Sequence, residues 1–100
     1  MRIIAWSVLS AYATEHPETA VPLSRWRTLV RAARWGSMDE LRQAAPNAKI
    51  LGGDRARFEV AGGNYRLIAA FDFARQIAFV KFIGTHAEYD RIDALTVSRF

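Results

Sequence analysis

The 100-residue chain contains no cysteine, and this absence removes several kinds of chemistry. Without thiols there is no disulfide bond, no zinc–thiolate site and no thiolate nucleophile. The only two histidines, His16 and His86, are isolated from each other and do not form a metal-binding pattern. The glycine-rich motifs that bind nucleotide phosphates are also missing. We therefore predict neither a metal ion nor another cofactor.

The sequence also lacks a hydrophobic run long enough to cross a membrane. Its longest uncharged stretch, from Ile3 to Thr14, is well short of the ~20 residues that a transmembrane helix needs. Arg2 alone is a weak positive segment for a secretion signal. We expect a cytoplasmic protein without a membrane partner.

Positive charge is in excess. Fourteen Lys and Arg residues outnumber ten Asp and Glu residues, so the net charge is +4. A basic protein favours polyanionic partners, because its cations neutralise phosphates and release their counterions. A hydrophobic share of 51%, with no linker or composition shift, predicts one folded domain over residues 1–100.

The first half of the chain has helical periodicity. After a short strand at 2–5, we predict helices at 6–15, at 22 or 24 to 33, and at 38–45. Pro17 ends the first of these helices and Gly36 is expected to stop the second. Ser37 and Glu40 have the spacing of a capping box for the third.

The second half alternates as strands do. We predict strands at 49–51, 55–60, 65–73 and 76–83, with a tight hairpin at Gly62-Gly63-Asn64. Thr85 and Glu88 predict a capping box for a final helix from His86 to about Leu95. The fold class is α+β, with N-terminal helices packed on a small, mostly antiparallel sheet and a short C-terminal helix.

Several cations fall on the sheet face that points away from the core. The alternation from Tyr65 puts Arg66 opposite the apolar residues of its strand. Lys81 is predicted to share a face with Phe79 and Ile83, leaving Val80 and Phe82 on the reverse. Together with Arg57, these residues predict a concave cationic surface; the alternative is a solvated face with scattered charges.

His86 and Tyr89 are three residues apart on the final helix and so share one helix face. Histidine titrates near neutrality and serves as a general acid or base, while tyrosine forms hydrogen bonds or stacks on bases. The alternative is a surface histidine beside a tyrosine that packs on the sheet. Asp90, four residues after His86, is placed to orient its ring.

Arg27, Arg31 and Arg34 form a stripe along the second helix. The stripe fits a contact with RNA, a surface for an acidic protein partner, or a solvated helix face.

Two segments of the sequence resemble the HigB-type toxins of the RelE-like superfamily. They are Gly62-Gly63-Asn64-Tyr65-Arg66-Leu67-Ile68 and Val80-Lys81-Phe82-Ile83-Gly84-Thr85-His86-Ala87-Glu88-Tyr89-Asp90. Segment 24–35 and the turn at 47–49 also fit, so the resemblance covers nearly the whole chain. It implies a RelE-like fold and a metal-independent endoribonuclease. Such a toxin cleaves mRNA on the ribosome by attack of the ribose 2′-hydroxyl on the adjacent phosphate. The implied partner is a HigA-type helix-turn-helix antitoxin, and operator DNA is contacted only through that antitoxin.

On this resemblance we assign four catalytic residues. Arg66 stabilises the phosphorane, and His86 is the first choice for base or acid. Lys81 supplies the remaining proton transfer or charge, and Tyr89 stacks on a base or holds the phosphate. Positioning of RNA is assigned to Lys49, Arg55, Arg57 and Asn64. The alternatives are a non-catalytic RNA- or ribosome-binding module and a domain whose basic face meets only a protein.

Overall fold

A computed structural model describes all 100 residues of the chain. Its elements are β1 (Arg2–Ile4), α1 (Trp6–Glu15), a single 3₁₀ turn (Pro17–Thr19), α2 (Ala20–Ala32), α3 (Met38–Ala44), β2 (Lys49–Leu51), β3 (Arg55–Val60), β4 (Tyr65–Asp72), β5 (Ile77–Thr85) and α4 (His86–Tyr89). The α+β class and the order of elements are confirmed. No helix is both long and apolar enough to cross a membrane.

The five strands form one sheet in the order β1-β5-β4-β3-β2. Strands β2 to β5 pair antiparallel with their sequence neighbours, whereas β1 joins the free edge of β5 in parallel. The mostly antiparallel sheet is therefore confirmed. The helical N-terminal half supplies the long crossover that a parallel pair requires.

The main core lies between the helices and one face of the sheet, which we call the helix-side face. Leu9 of α1 and Leu23, Trp26 and Val30 of α2 are buried there. They pack on the alternate residues of the strands, of which Ala56, Phe58, Val60, Leu67, Ala69, Phe71, Ala78, Val80 and Ile83 are buried.

A β-bulge changes the phase of β5 and corrects one prediction. Ile68 pairs with Phe82, but the next residue, Ala69, pairs with Val80, so that Lys81 is the extra residue. Ile83 therefore lies on the helix-side face with Val80, and not beside Lys81 as strict alternation predicted. Phe82 points to the opposite face.

We call that opposite face the second face. Two of its apolar residues, Ile68 and Phe82, have no solvent-exposed surface. Phe82 lies beneath α4 and the chain that follows: the Tyr89 ring centroid is 6.3 Å from that of Phe82, and the Arg99 guanidinium is 4.8 Å above its ring. The second face is thus partly covered by the C-terminal segment.

The capping box at Thr85 and Glu88 is confirmed, but α4 is one turn long, so the predicted helix to Leu95 is wrong. Tertiary hydrogen bonds hold the segment after Asp90 in another conformation. Arg55 Nη1 donates to the carbonyls of Ala94 (3.2 Å) and Val97 (2.6 Å), and the Arg99 amide donates to the Lys81 carbonyl (3.0 Å).

Two helix boundaries in the N-terminal half also differ from prediction. Helix α2 begins at Ala20, so Pro22 lies in its first turn, where an amide N–H has no intrahelical acceptor in any case. Gly36 does not stop this helix, which ends at Ala32. Instead, the Gly36 amide donates to the Glu40 carboxylate (2.7 Å), so Ser37 caps α3 without the reciprocal bond of a capping box.

Gly84 leaves room for the tip of the Phe82 ring on the second face. A Cβ at this position would be 2.7 Å from Phe82 Cζ, closer than packed carbon atoms approach. We expect Gly84→Ala to destabilise the protein by about 1–3 kcal/mol, because a filled core does not accept an added methyl group. Urea denaturation measures this change.

The matched control is Gly52→Ala, whose Cβ would lie at an ordinary 3.5 Å from Leu95. Its unfolding midpoint should stay close to that of the unmodified chain. Equal midpoints for both variants would contradict the packing role of Gly84.

Candidate functional site

The strand register brings the predicted cations of β3 and β4 onto the second face. Arg66 pairs with Glu59 on one side and with Gly84 on the other. In the next row Arg57 pairs with Lys49 and with Ile68. Directly paired residues point to the same side of a sheet, so these charges share one surface.

A carboxylate lies between the two arginines. Glu59 Oε1 is 3.9 Å from Arg57 Nη2 and 3.8 Å from Arg66 Nη2. Arg66 is only 8% exposed, and its Nη1 donates to the Gly63 carbonyl in the preceding turn. The Nε atoms of both arginines are buried without a hydrogen-bond partner. The pair is a preorganised guanidinium cluster in which one half-exposed carboxylate offsets the mutual repulsion.

Tyr89 completes this cluster from α4. Its hydroxyl accepts a hydrogen bond from Arg57 Nη1 (3.4 Å), and the Arg57 guanidinium is 5.3 Å from its ring centroid. The capping box of α4 fixes the point at which this helix leaves β5 and therefore where Tyr89 meets the sheet. The bond to Thr85 N–H also lowers the pKa of Glu88, with a smaller contribution from Arg99.

His86 begins α4 and is well exposed. Its Nδ1 lies 3.2 Å from Asp90 Oδ2, so the predicted orienting contact is present. Its amide donates to the Asn64 carbonyl (3.0 Å), which ties the β3–β4 hairpin to α4. The backbone of Asn64 thus positions the helix while its side chain is exposed. The Nε2 atom of His86 forms no hydrogen bond within the chain.

Lys81 is not joined to the other predicted catalytic residues. It lies three residues along β5 from Gly84, the partner of Arg66, which corresponds to about 10 Å of strand. Its Nζ is 3.4 Å from Ser98 Oγ and 5.4 Å from the Phe79 ring centroid. The structure therefore places Lys81 with the C-terminal segment, one residue before Phe82 of the Arg57 row.

The remaining RNA-positioning candidates differ in availability. Lys49 is exposed on the edge strand β2, beside Arg57. Arg55 is half-buried and its Nη1 is committed to two carbonyl oxygens of the C-terminal segment. Arg55 thus holds that segment in place.

Sequence reasoning missed Arg99. Its guanidinium lies 4.8 Å above the ring of Phe82, the residue that Tyr89 also packs on, and adds a cation to the second face. Residues 91–100 have no regular secondary structure, so no periodicity could assign Arg99 to a face. The only sequence signal for a role of Arg99 was that it is an arginine close to the end of a basic chain.

His16, the other histidine, lies at the end of α1, beside residue Tyr65 of the helix-side face. Its ring stacks on Tyr12 with centroids 4.1 Å apart, and its Nδ1 is 3.5 Å from the Tyr65 hydroxyl. Burial, followed by the charge of Glu88, raises the pKa of Tyr12 to about 12, so Tyr12 stays neutral. The hydrogen bond to Glu18 likewise raises the pKa of Tyr65. This cluster packs α1 against the end of the sheet.

No group of three or more His, Cys, Asp or Glu side chains lies close enough together to hold a metal ion.

Comparison with known proteins defines the class to which this fold and surface belong. Residues 19–92 match the family model described as HigB_toxin, a RelE-like toxic component of a toxin-antitoxin system. The chain is also 31% identical over 99 aligned residues to the protein named mRNA interferase HigB from Escherichia coli O6:H1 (strain CFT073), covering 92% of this chain and 91% of that protein. The fold and these matches define a RelE-like toxin. The chain belongs to the HigB toxin family, and a toxin of this kind has an antitoxin partner.

Glu59 should weaken the attraction of the second face for polyanions. We expect Glu59→Gln to bind a single-stranded RNA oligonucleotide, used as a polyanionic probe, about threefold or more tightly at low ionic strength. The substitution removes the only carboxylate in contact with Arg57 and Arg66. The free energy of unfolding should fall by less than about 1 kcal/mol, as for other partly exposed ion pairs. Fluorescence anisotropy and urea denaturation measure the two quantities.

Asp39→Asn is the control, because Asp39 also pairs with an arginine, Arg42, but on exposed α3. If both variants gained affinity equally, net charge alone would explain the effect and Glu59 would have no special position.

Proposed function

We propose that this chain is an mRNA interferase, a metal-independent endoribonuclease that cleaves mRNA during translation. The observation that carries the proposal is the group formed by Arg57, Arg66 and Tyr89 on one sheet face, beside the histidine that begins α4. The name of the Escherichia coli relative supports the same activity.

In the proposed reaction, the ribose 2′-oxygen attacks the adjacent phosphorus and the bond from phosphorus to the 5′-oxygen breaks. His86 takes the 2′-hydroxyl proton. Its Nδ1 faces the Asp90 carboxylate at 3.2 Å, which favours a proton on Nδ1 and leaves the Nε2 lone pair free to act as the base.

Charge develops on the phosphorane oxygens during this step. The guanidinium groups of Arg66 and Arg57 supply fixed positive charge from a largely buried setting, where electrostatic stabilisation is strongest. The phosphate takes the place that Glu59 occupies between them. No metal ion is needed, because the nucleophile belongs to the RNA and the arginines stabilise the negative charge of the phosphorane.

The leaving 5′-oxygen requires a proton. Tyr89 accepts a hydrogen bond from Arg57, so its own hydroxyl proton is available for donation. Lys81 is about 10 Å along the strand from the Arg66 row and is better placed to bind a neighbouring phosphate of the same RNA strand. Lys49, Asn64 and Arg99 extend the cationic and polar surface along which that strand lies.

We assign a HigA-type helix-turn-helix antitoxin as the partner that neutralises this activity in the cytoplasm. Operator DNA is then contacted through the antitoxin.

The direct test is induction of the unmodified chain beside Arg66→Ala and His86→Ala, with primer extension on a chosen mRNA. We expect growth arrest and discrete new 5′ ends for the unmodified chain, and at least a 100-fold loss of cleavage for each variant, because each removes a group that acts in the transition state.

Arg75→Ala is the matched control, since Arg75 is an exposed arginine paired with Asp72 outside the site. Circular dichroism of all purified variants verifies folding. Equal toxicity without new 5′ ends would contradict the nuclease and favour a non-catalytic ribosome-binding module.

Arg99 should contribute to RNA binding. We expect Arg99→Ala to reduce cleavage by about tenfold, because it removes one cation that faces the RNA path. The free energy of unfolding should fall by about 0.5–1 kcal/mol, because the variant also loses the cation that lies over the Phe82 ring. The measurement is the rate of mRNA cleavage in a reconstituted translation reaction.

Arg91→Ala is the control, because Arg91 is exposed and makes no ion pair. Should Arg99→Ala cleave as fast as Arg91→Ala, the position of Arg99 over Phe82 would have no functional meaning.

A further inference from the structure

The largest cavity of the molecule is remote from the proposed active site. It has a volume of about 710 Å³ and lies between the start of β1 and the end of α2. The residues that give it its chemistry are Arg2, Ile3, Trp6, Arg27, Arg31 and Arg34. We call this cavity, together with the outer face of α2 beside it, the α2 groove.

The α2 groove carries concentrated and unpaired positive charge. None of the four arginines of the cavity forms an ion pair, and no Asp or Glu lines it. The Met1 ammonium also lies at this cavity, where it donates hydrogen bonds to the carbonyls at the end of α2. Burial and the nearby Arg34 and Arg31 lower the pKa of this ammonium. An anionic group is therefore the complement that the surface lacks.

Exposed apolar side chains continue the groove along α2. Val21 is 59% exposed and Leu29 is 37% exposed, which makes them two of the four large exposed hydrophobic residues in the chain. Two shallower hollows, which share Ser24 and Thr28, connect these side chains to Arg27 and Arg31. The whole surface follows a 13-residue helix, a length of about 20 Å.

This combination favours a protein over a nucleic acid. Single-stranded RNA binds by stacking on aromatic rings, but Arg27 already covers the Trp6 ring at 4.6 Å. Phosphates gain nothing from Val21 and Leu29, whereas an amphipathic peptide helix buries such side chains and matches the arginines with its carboxylates. The α2 groove also lies on the helix side of the sheet, so a partner bound there leaves the second face free.

From these observations we propose that the α2 groove binds an acidic amphipathic segment of the antitoxin, away from the RNA-cleaving face. The proposal rests on the antitoxin partner that membership of this toxin family implies. It does not depend on which residues of the second face catalyse cleavage.

The test uses the antitoxin encoded with this chain, purified and titrated against the toxin by calorimetry. The variant is the triple charge reversal Arg27→Glu, Arg31→Glu, Arg34→Glu, and a second variant, Leu29→Ser, tests the apolar part. The control is Arg42→Glu with Arg75→Glu, which reverses exposed arginines elsewhere. We expect the triple variant to bind at least about 100-fold more weakly, Leu29→Ser several-fold more weakly, and the control to bind as the unmodified toxin does.

Cleavage of mRNA in a translation reaction, measured on the same preparations, separates the two surfaces. The proposal expects both groove variants to retain cleavage and to escape inhibition by the antitoxin. Retained antitoxin binding with lost cleavage would overturn it and assign the groove to the ribosome. Loss of both functions in a variant with an unchanged unfolding midpoint would also overturn it, as would failure of the unmodified toxin to bind its antitoxin. An unmodified toxin that binds antitoxin but does not cleave would contradict only the proposed nuclease.

Discussion

The burial of Phe82 and Ile68 on the second face of the sheet is the constraint on which the site depends. A small α+β domain can leave such a face to solvent, yet here two large apolar side chains are completely buried on it. Burying each is worth about 1.5–3 kcal/mol. That gain holds α4 and the C-terminal segment against the sheet, with Gly84 leaving room for the Phe82 ring. Tyr89 and Arg99 reach the cationic surface only because this packing carries them there.

The cations of the second face repel one another, and Glu59 offsets part of this repulsion. Arg57 and Arg66 point the same way from adjacent strands and would repel each other without the carboxylate between them. In the proposed mechanism an RNA phosphate, which carries the same single negative charge, takes this position, so binding exchanges one counter-charge for another. This arrangement keeps the arginines fixed in the free protein and so avoids an ordering cost when the substrate binds.

Most of the positive charge of the chain lies on two surfaces with different chemistry. The second face combines its cations with Tyr89, a histidine and a polar turn, and it suits a phosphodiester. The α2 groove combines arginines with exposed Val21 and Leu29, and it suits an acidic peptide. The net charge of the sequence contains both contributions and cannot separate them. A toxin that must meet both RNA and an antitoxin gains from keeping the two contacts on opposite sides.

Local signals predicted most of the fold. The antiparallel strands followed from alternation, and the capping box at Thr85 and Glu88 followed from spacing alone. Of the features that local signals did not predict, three that shape the second face are tertiary effects. The bulge at Lys81 shifts the phase of β5 without any glycine or proline to mark it.

Arg55 holds the C-terminal segment across the sheet, so the helix predicted to Leu95 stops after one turn. Arg99 is brought to the site by the same contacts. The resemblance named the site residues, whereas the register and the ion pairs of Glu59 show how Arg57 and Arg66 are grouped.

We propose that the second face promotes attack by the 2′-hydroxyl of the RNA itself. The most direct test uses an mRNA with a single 2′-deoxynucleotide at a mapped cleavage position, translated in the presence of the purified toxin. We expect cleavage at that position to disappear while cleavage at other positions continues. Undiminished cleavage at the 2′-deoxynucleotide would rule out this mechanism, because the nucleophile would then have to be water.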